Sequence, residues 1–149
     1  MARADFYLLA DADEDSRSVF IARLCEKAFN QGLQVLLYTR NESQAEFYDR
    51  WLWSWRAESF LPHCLMQESA QAPILISHDP RLSNSQLESI DLLINAADDL
   101  PDFAFQLPRL AEVVRQEALA LEVSRQNYQL CRQAGFSLER HDMRSLPQA

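Results

Sequence analysis

The stretch RQNYQLCRQAGF, Arg125 to Phe136, holds two arginines and a tyrosine and no acidic residue. The chain around it has 149 residues and a formal net charge of -8. A guanidinium is a planar fork of donors that grips carboxylates and phosphates through paired hydrogen bonds. A phenol adds an apolar ring with a polar tip. The chemistry on offer is anion recognition, and the candidate targets are nucleic acid, phosphate and the carboxylates of another protein.

The spacing says how these groups would be presented. At about 100° per residue, Leu121, Arg125, Tyr128 and Arg132 fall on one narrow stripe of a helix. Leu119, Val123, Leu130 and Ala134 fall on the opposite side and read as the core face. Val114 projects onto the outer stripe too, if the helix runs unbroken back past Glu117. The plain alternative is a solvated helix face that happens to carry two charges.

Charge distribution narrows the target. Residues 1–108 carry 17 acidic and 8 basic side chains, whereas residues 109–149 carry 5 and 6. An acidic chain is repelled by a phosphate backbone, so broad direct contact with DNA is disfavoured. A short peptide bearing acids and one hydrophobic anchor suits a small, local cationic site better.

Other chemistry is sparsely represented. The turn ADADEDSRS has no glycine and four acids. A phosphate-cradling turn needs glycines so that backbone N–H groups can approach the ligand, and neither GxxxxGK[ST] nor GxGxxG occurs. No cofactor is expected. Asp11, Asp13 and Asp15 alternate as calcium-loop ligands do, but without the turning glycine and the terminal glutamate. They read as solvated loop acids. His63, His78 and His141 form no close pair of the kind zinc motifs use, so no metal site is expected. On a strand Cys64 would point away from its neighbour His63, which disfavours a catalytic dyad. His63 is expected to satisfy a local hydrogen bond beside Pro62. Cys25, Cys64 and Cys131 form no CxxC pair and read as reduced. No catalytic residue is assigned. Trp51, Trp53 and Trp55 lie about 200° apart on a helix. At least one of them must be exposed or sit in the turn, where it would face a partner.

The elements that would position these groups follow from periodicity. DFYLLA and LQVLLYT read as buried strands. Between them SVFIARLCEKAFNQG has helical spacing and ends at Gly32, a helix C′ position. NESQAEFYDRWLW opens with Asn41 and Gln44 at capping-box spacing and continues as a helix. PILIS and DLLIN are further strands, and AADDLPDF is an acidic turn. Arg109 to Ala134 reads as helical, with a possible break near Glu117 and an end at Gly135. A polar tail from about residue 137 reads as partly frayed. The order predicts one α/β domain over residues 1–149, three layers deep, with helices flanking a mostly parallel sheet of four to five strands. No apolar run is long enough to cross a membrane, and the N-terminus lacks a secretory signal. The expected location is cytoplasmic.

Four segments in order, DFYLL, LW followed by ESFLPH, INAADDLPDF and RQNYQLCRQAGFSLERHD, resemble the chi subunit family of bacterial DNA polymerase III holoenzyme. The resemblance covers nearly the whole chain. It implies a nucleotide-binding-like fold without a working nucleotide site, and a non-catalytic accessory role in DNA replication. It implies two partners. One is the psi subunit, which tethers the family's protein to the clamp loader. The other is the acidic C-terminal tail of single-stranded DNA-binding protein, which ends in proline and phenylalanine, so that DNA is reached only indirectly. The implied tail-binding positions are Arg125, Tyr128 and Arg132, with Val114 and Phe60 as apolar contributors. Leu121 and Gln129 stand where some members carry lysines, which implies fewer charge contacts. No residue is assigned to the psi surface. The residues alone leave open an α/β enzyme or nucleotide-binding protein with an unrecognised site.

Overall fold

Among the described residues seven short runs become strands, and all of them pair in parallel. The computed structural model describes residues 2–56, 58 and 60–145. The strands are β1 (Arg3–Leu8), β2 (Val35–Tyr38), β3 (His63–Leu65), β4 (Ile74–Ser77), β5 (Leu92–Asn95), β6 (Arg109–Val114) and β7 (Ser137–Asp142). Their order across the sheet is β3-β4-β2-β5-β6-β1-β7. Every residue of β2, β4 and β5 is buried, as a parallel strand covered on both faces requires.

Helices supply the cover. Helix α1 (Glu14–Asn30) and helix α2 (Glu42–Ser54) pack on one face, where Ile21, Cys25, Tyr48 and Leu52 meet Val35 and Leu37. The short α3 (Asn84–Glu88), the 3-10 helix Asp102–Gln106 and helix α4 (Ala118–Gln133) lie on the other. There Leu87, Phe103 and Cys131 meet Leu36 and Tyr38. Alternate residues of one strand thus feed two cores. The result is the three-layer parallel α/β architecture that the strand-helix alternation predicts.

Both glycines end helices as predicted. At Gly32 (φ 76°) and Gly135 (φ 86°) the backbone turns left-handed. Gly32 N–H donates to Phe29 O and Leu33 N–H to Ala28 O, each at 3.0 Å. Gly135 N–H donates to Arg132 O at 3.1 Å and Phe136 N–H to Cys131 O at 3.0 Å. Both are Schellman closures, and at the second Cys131 and Phe136 are buried together. At the start of α2, Gln44 N–H donates to Asn41 Oδ1 at 2.9 Å, while Gln44 Oε1 accepts from Arg40 N–H at 2.8 Å.

The sheet is larger than the expected four to five strands. Residues 109–114, read as the start of the last helix, form β6. The run RLAEVV is buried at five of its six positions, and an all-buried run carries no period that separates strand from helix. The suspected break is real: Glu117 caps α4, its carboxylate accepting from Leu119 N–H at 3.0 Å and Ala120 N–H at 2.9 Å. Residues 137–142, read as frayed tail, pair along the whole of β1 as the edge strand β7. Their polar character is that of an edge, not of a loose end. Helix α1 begins at Glu14, earlier than its apolar spacing indicates, because Asp13 caps it through Asp15 N–H at 3.0 Å. Among the described residues no helix is long and apolar enough to cross a membrane.

Candidate partner-binding site beside the last helix

Helix α4 lies over β6, β1 and β7, and its orientation is set by a buried acid. Glu112 on β6 is 3% exposed. A carboxyl in that position must be hydrogen-bonded. Asn95 Nδ2 donates to its Oε1 at 2.9 Å and Asn127 Nδ2 at 3.2 Å. Asn127 Nδ2 also donates to the carbonyl of Asp98 at 2.7 Å, a residue held at φ 74°. Arg17 comes across from α1, donates from Nε to Val113 O at 3.0 Å and sits 3.4 Å from the Asp98 carboxylate. Burial pushes the Glu112 carboxyl up to about 8, against the pull of Asn95 and Arg17.

This network turns the helix from its expected setting. The buried residues of α4 are Asn127 and Cys131. Leu119 is 69% exposed and Leu130 is 46% exposed, although both were assigned to the core face. Hydrophobicity pointed the wrong way because the surface under α4 is partly polar and selects an asparagine.

The rotation leaves Tyr128 on the shoulder of the helix, half-buried, with its ring edge-on to Phe6 of β1 at a centroid distance of 5.3 Å. Arg125 lies one turn away with 72% of its side chain exposed, and Glu122 Oε2 is 3.3 Å from it. Tyr128 and Arg125 line a cavity of about 510 Å3 with Leu121, Ser124, Gln129, Phe6, Leu8, Gln116, Arg140 and Arg144. Its floor is apolar, from Phe6, Leu8 and Leu121, and its rim is cationic. Such a depression fits a hydrophobic group that carries a carboxylate, with further acids nearby.

The remaining predicted positions sit differently. Arg132 is exposed near the end of α4 and does not line the cavity. Val114 closes β6, is 4% exposed, and borders a separate small cavity beneath α4 with Arg17, Glu112 and Asn127. Its projection onto the helix stripe fails because it is not helical. Its strand neighbour Leu8 lines the larger cavity instead. Phe60 is 70% exposed just before β3, on the other outer edge of the sheet. Its ring meets Trp53 of α2 at 5.4 Å, and α2 packs on the face opposite α4. The structure therefore gathers Arg125 and Tyr128 and keeps Val114 and Phe60 apart from them. Phe6, Leu8, Arg140 and Arg144 were missed: the strand pair β1–β7 brings them in, and β7 had been read as tail.

Trp53 and Phe60 make a second exposed feature. Trp53 is 48% exposed and Phe47, also on α2, is 40% exposed. Trp51 packs inward and donates from Nε1 to Ser18 O at 2.9 Å, while Trp55 caps the helix beneath the Arg56 guanidinium. Of the three tryptophans, one of which had to face outward or sit in the turn, Trp53 is the exposed one. His63 is buried below it and makes the expected local contact with Leu61 O at 2.6 Å, and a second, long-range one with Asp49 O of α2 at 2.7 Å. Cys25 and Cys131 are free and buried, and Cys64 is free and half-buried.

At the carboxyl end of β1, the acidic turn is engaged with the protein itself. Arg115 reaches it, 3.0 Å from Glu14 and 3.0 Å from Ala12 O, and Gln116 N–H donates to Asp11 O at 2.8 Å. The helix N-terminus that would hold a phosphate is occupied by Asp13, Glu14 and Asp15.

Residues 1–139 match the family model described as DNA polymerase III chi subunit, HolC. DNA polymerase III subunit chi of Pseudomonas aeruginosa is 37% identical over 141 residues, 95% of this chain and 96% of its own length. The subunit of the same name from Escherichia coli is 34% identical over 144 residues, covering 93% and 96%. That of Haemophilus influenzae is 29% identical over 137 residues, covering 91% and 93%. The chain belongs to the DNA polymerase III chi subunit family.

Proposed function

We propose that this chain is a non-catalytic accessory subunit of the replicative DNA polymerase III, which binds the acidic C-terminal tail of single-stranded DNA-binding protein in the cavity beside α4. The observation that carries this reading is the pairing of Tyr128 and Arg125 over an apolar floor, on a chain whose net charge is -8. The tail's terminal phenylalanine would fill the depression over Phe6, Leu8 and Leu121. Its carboxylate would meet Arg125 at the cavity, and acids that run on beyond it along α4 would reach the exposed Arg132, which lies outside the lining. Contact with DNA then runs through the coating protein, because an acidic surface gains nothing from a phosphate backbone.

Pairing with the psi subunit is the second part of the proposal. Trp53 and Phe60 support it: large aromatics left exposed together on a folded surface are typical interface anchors. They lie on the face opposite α4, so both partners could bind at once. The test is co-elution of the chain with purified psi, followed by titration of a labelled tail peptide into the complex. Saturable peptide binding by both the free chain and the complex is expected. Absence of peptide binding in both states contradicts the tail reading.

A further inference from the structure

Two cations enter the same cavity from an element outside α4. Residues that pair across parallel strands point to the same face of the sheet, so the register Glu112–Phe6–Arg140 across β6, β1 and β7 is one row facing α4. Arg140 therefore stands beside Phe6, the ring on which Tyr128 rests, and it lines the cavity. It is exposed, and among the described residues it has no salt bridge within 4.0 Å. Arg144, two residues past the end of β7, lines the cavity too. It is held by Asp142 through Nε at 2.8 Å and Nη2 at 2.7 Å.

We propose that Arg140 and Arg144 form a second cationic wall of the groove, facing Arg125, and bind the carboxylates upstream of the tail's terminal residue. The proposal rests on the tail-binding reading above and adds the specificity element: an extended peptide seated between α4 and β7 has guanidiniums on both sides. The wall replaces charge that α4 lacks at Leu121 and Gln129, both of which line the same cavity as neutral side chains. The resemblance implied a site with fewer charge contacts; with β7 included, three arginines border it. Asp142 works against the ligand, because it partly neutralises both Arg144 and Arg140.

The experiment is fluorescence anisotropy at low salt with a labelled acidic peptide ending in Pro-Phe, and with a matched peptide whose upstream acids are replaced by amides. It uses the full chain as wild type, Arg140→Gln, Arg144→Gln, Asp142→Asn and Arg125→Ala, with melting temperature as the folding control. Arg140→Gln is expected to weaken the acidic peptide ~3–10-fold and Arg144→Gln by less, while Asp142→Asn tightens it. Neither Gln variant should weaken the amide peptide, since the coupling is to the upstream carboxylates. Wild-type affinity in both Gln variants, alongside a loss in Arg125→Ala, overturns the second wall and leaves the tail site standing. Equal losses for both peptides also overturn it. No binding by the wild type removes the tail reading and this inference with it.

Discussion

The ring of Tyr128 meets that of Phe6 edge to face, with centroids 5.3 Å apart and planes at 63°. The contact joins the helix that carries the exposed arginines to the strand that floors the cavity. Tyr128 is therefore both a packing residue and a wall of the site. Tyr128→Phe should leave the melting temperature nearly unchanged. Tyr128→Ala should destabilise by ~1–3 kcal/mol, less than a fully buried aromatic because the ring is half-exposed. Chemical denaturation of the two variants measures this. Equal stability of wild type and Tyr128→Ala would mean that the ring contact does not hold α4 in place.

Asn127 should matter more to the fold than the leucines around it. Replacing Asn127 by leucine leaves the Glu112 carboxyl and the Asp98 carbonyl each short of a donor, at a cost of ~1–3 kcal/mol. Replacing Leu119 or Leu130 by glutamine should stay within about 0.5 kcal/mol, because both are exposed. Unfolding curves that reverse this order would restore the apolar face as the core.

Glu112 should make stability fall as pH rises. Its folded value, pushed to about 8 by burial, lies above its ordinary value of 4.5. The folded state thus binds the proton more tightly than the unfolded chain, and this contribution is complete below about 4.5 and lost as pH climbs through about 8. Glutamine keeps an acceptor for Asn95 and Asn127 and cannot ionise. The melting temperature of Glu112→Gln relative to wild type should therefore increase between pH 5 and 8.5, by an amount on the order of several degrees. A pH-independent difference would show that Glu112 does not titrate in this range.

The aromatic pair and the α4 groove should behave as separate surfaces. Trp53→Ala and Phe60→Ala should each weaken the psi complex by ~10-fold or more, as interface anchors do, and leave tail-peptide affinity at the wild-type level. Size-exclusion chromatography with psi and anisotropy with the peptide are the paired readouts. Loss of peptide binding in Phe60→Ala would return Phe60 to the tail site.

What could be read in the sequence follows from where the signal is local. Gly32 and Gly135 announce their helix ends because a left-handed C′ residue has few alternatives, and Asn41 with Gln44 announces the start of α2 by side-chain chemistry. The central strands show as unbroken apolar runs. β6 and β7 were hidden for opposite reasons. The first is apolar at nearly every position and so has no period; the second is polar because it is an edge. The arginine–tyrosine stripe of α4 was legible from spacing, since i, i+3 and i+4 neighbours share a face whatever lies beneath. Which side of α4 is buried was not legible: Glu112 and Asn95 decide it from other strands, through contacts of long sequence separation. The same holds for Arg140, whose place in the cavity depends on the β1–β7 register. Val114 could not be placed by a helical projection because it lies on a strand, and Phe60, named only through the resemblance, has no local signal that would fix its position at the far edge of the sheet.

The groove beside α4 is proposed to bind an acidic tail through Arg125 and Tyr128. Calorimetric titration of the tail peptide into wild type, Arg125→Ala, Arg132→Ala and Tyr128→Ala tests it most directly. Arg125→Ala should weaken the peptide ~10-fold or more at an unchanged melting temperature, corresponding to one lost charge-assisted contact. Arg125→Glu should lose more, and the salt dependence should be steeper in wild type than in Arg125→Ala. Wild-type affinity in all three folded alanine variants would contradict it and leave the stripe as a solvated helix face.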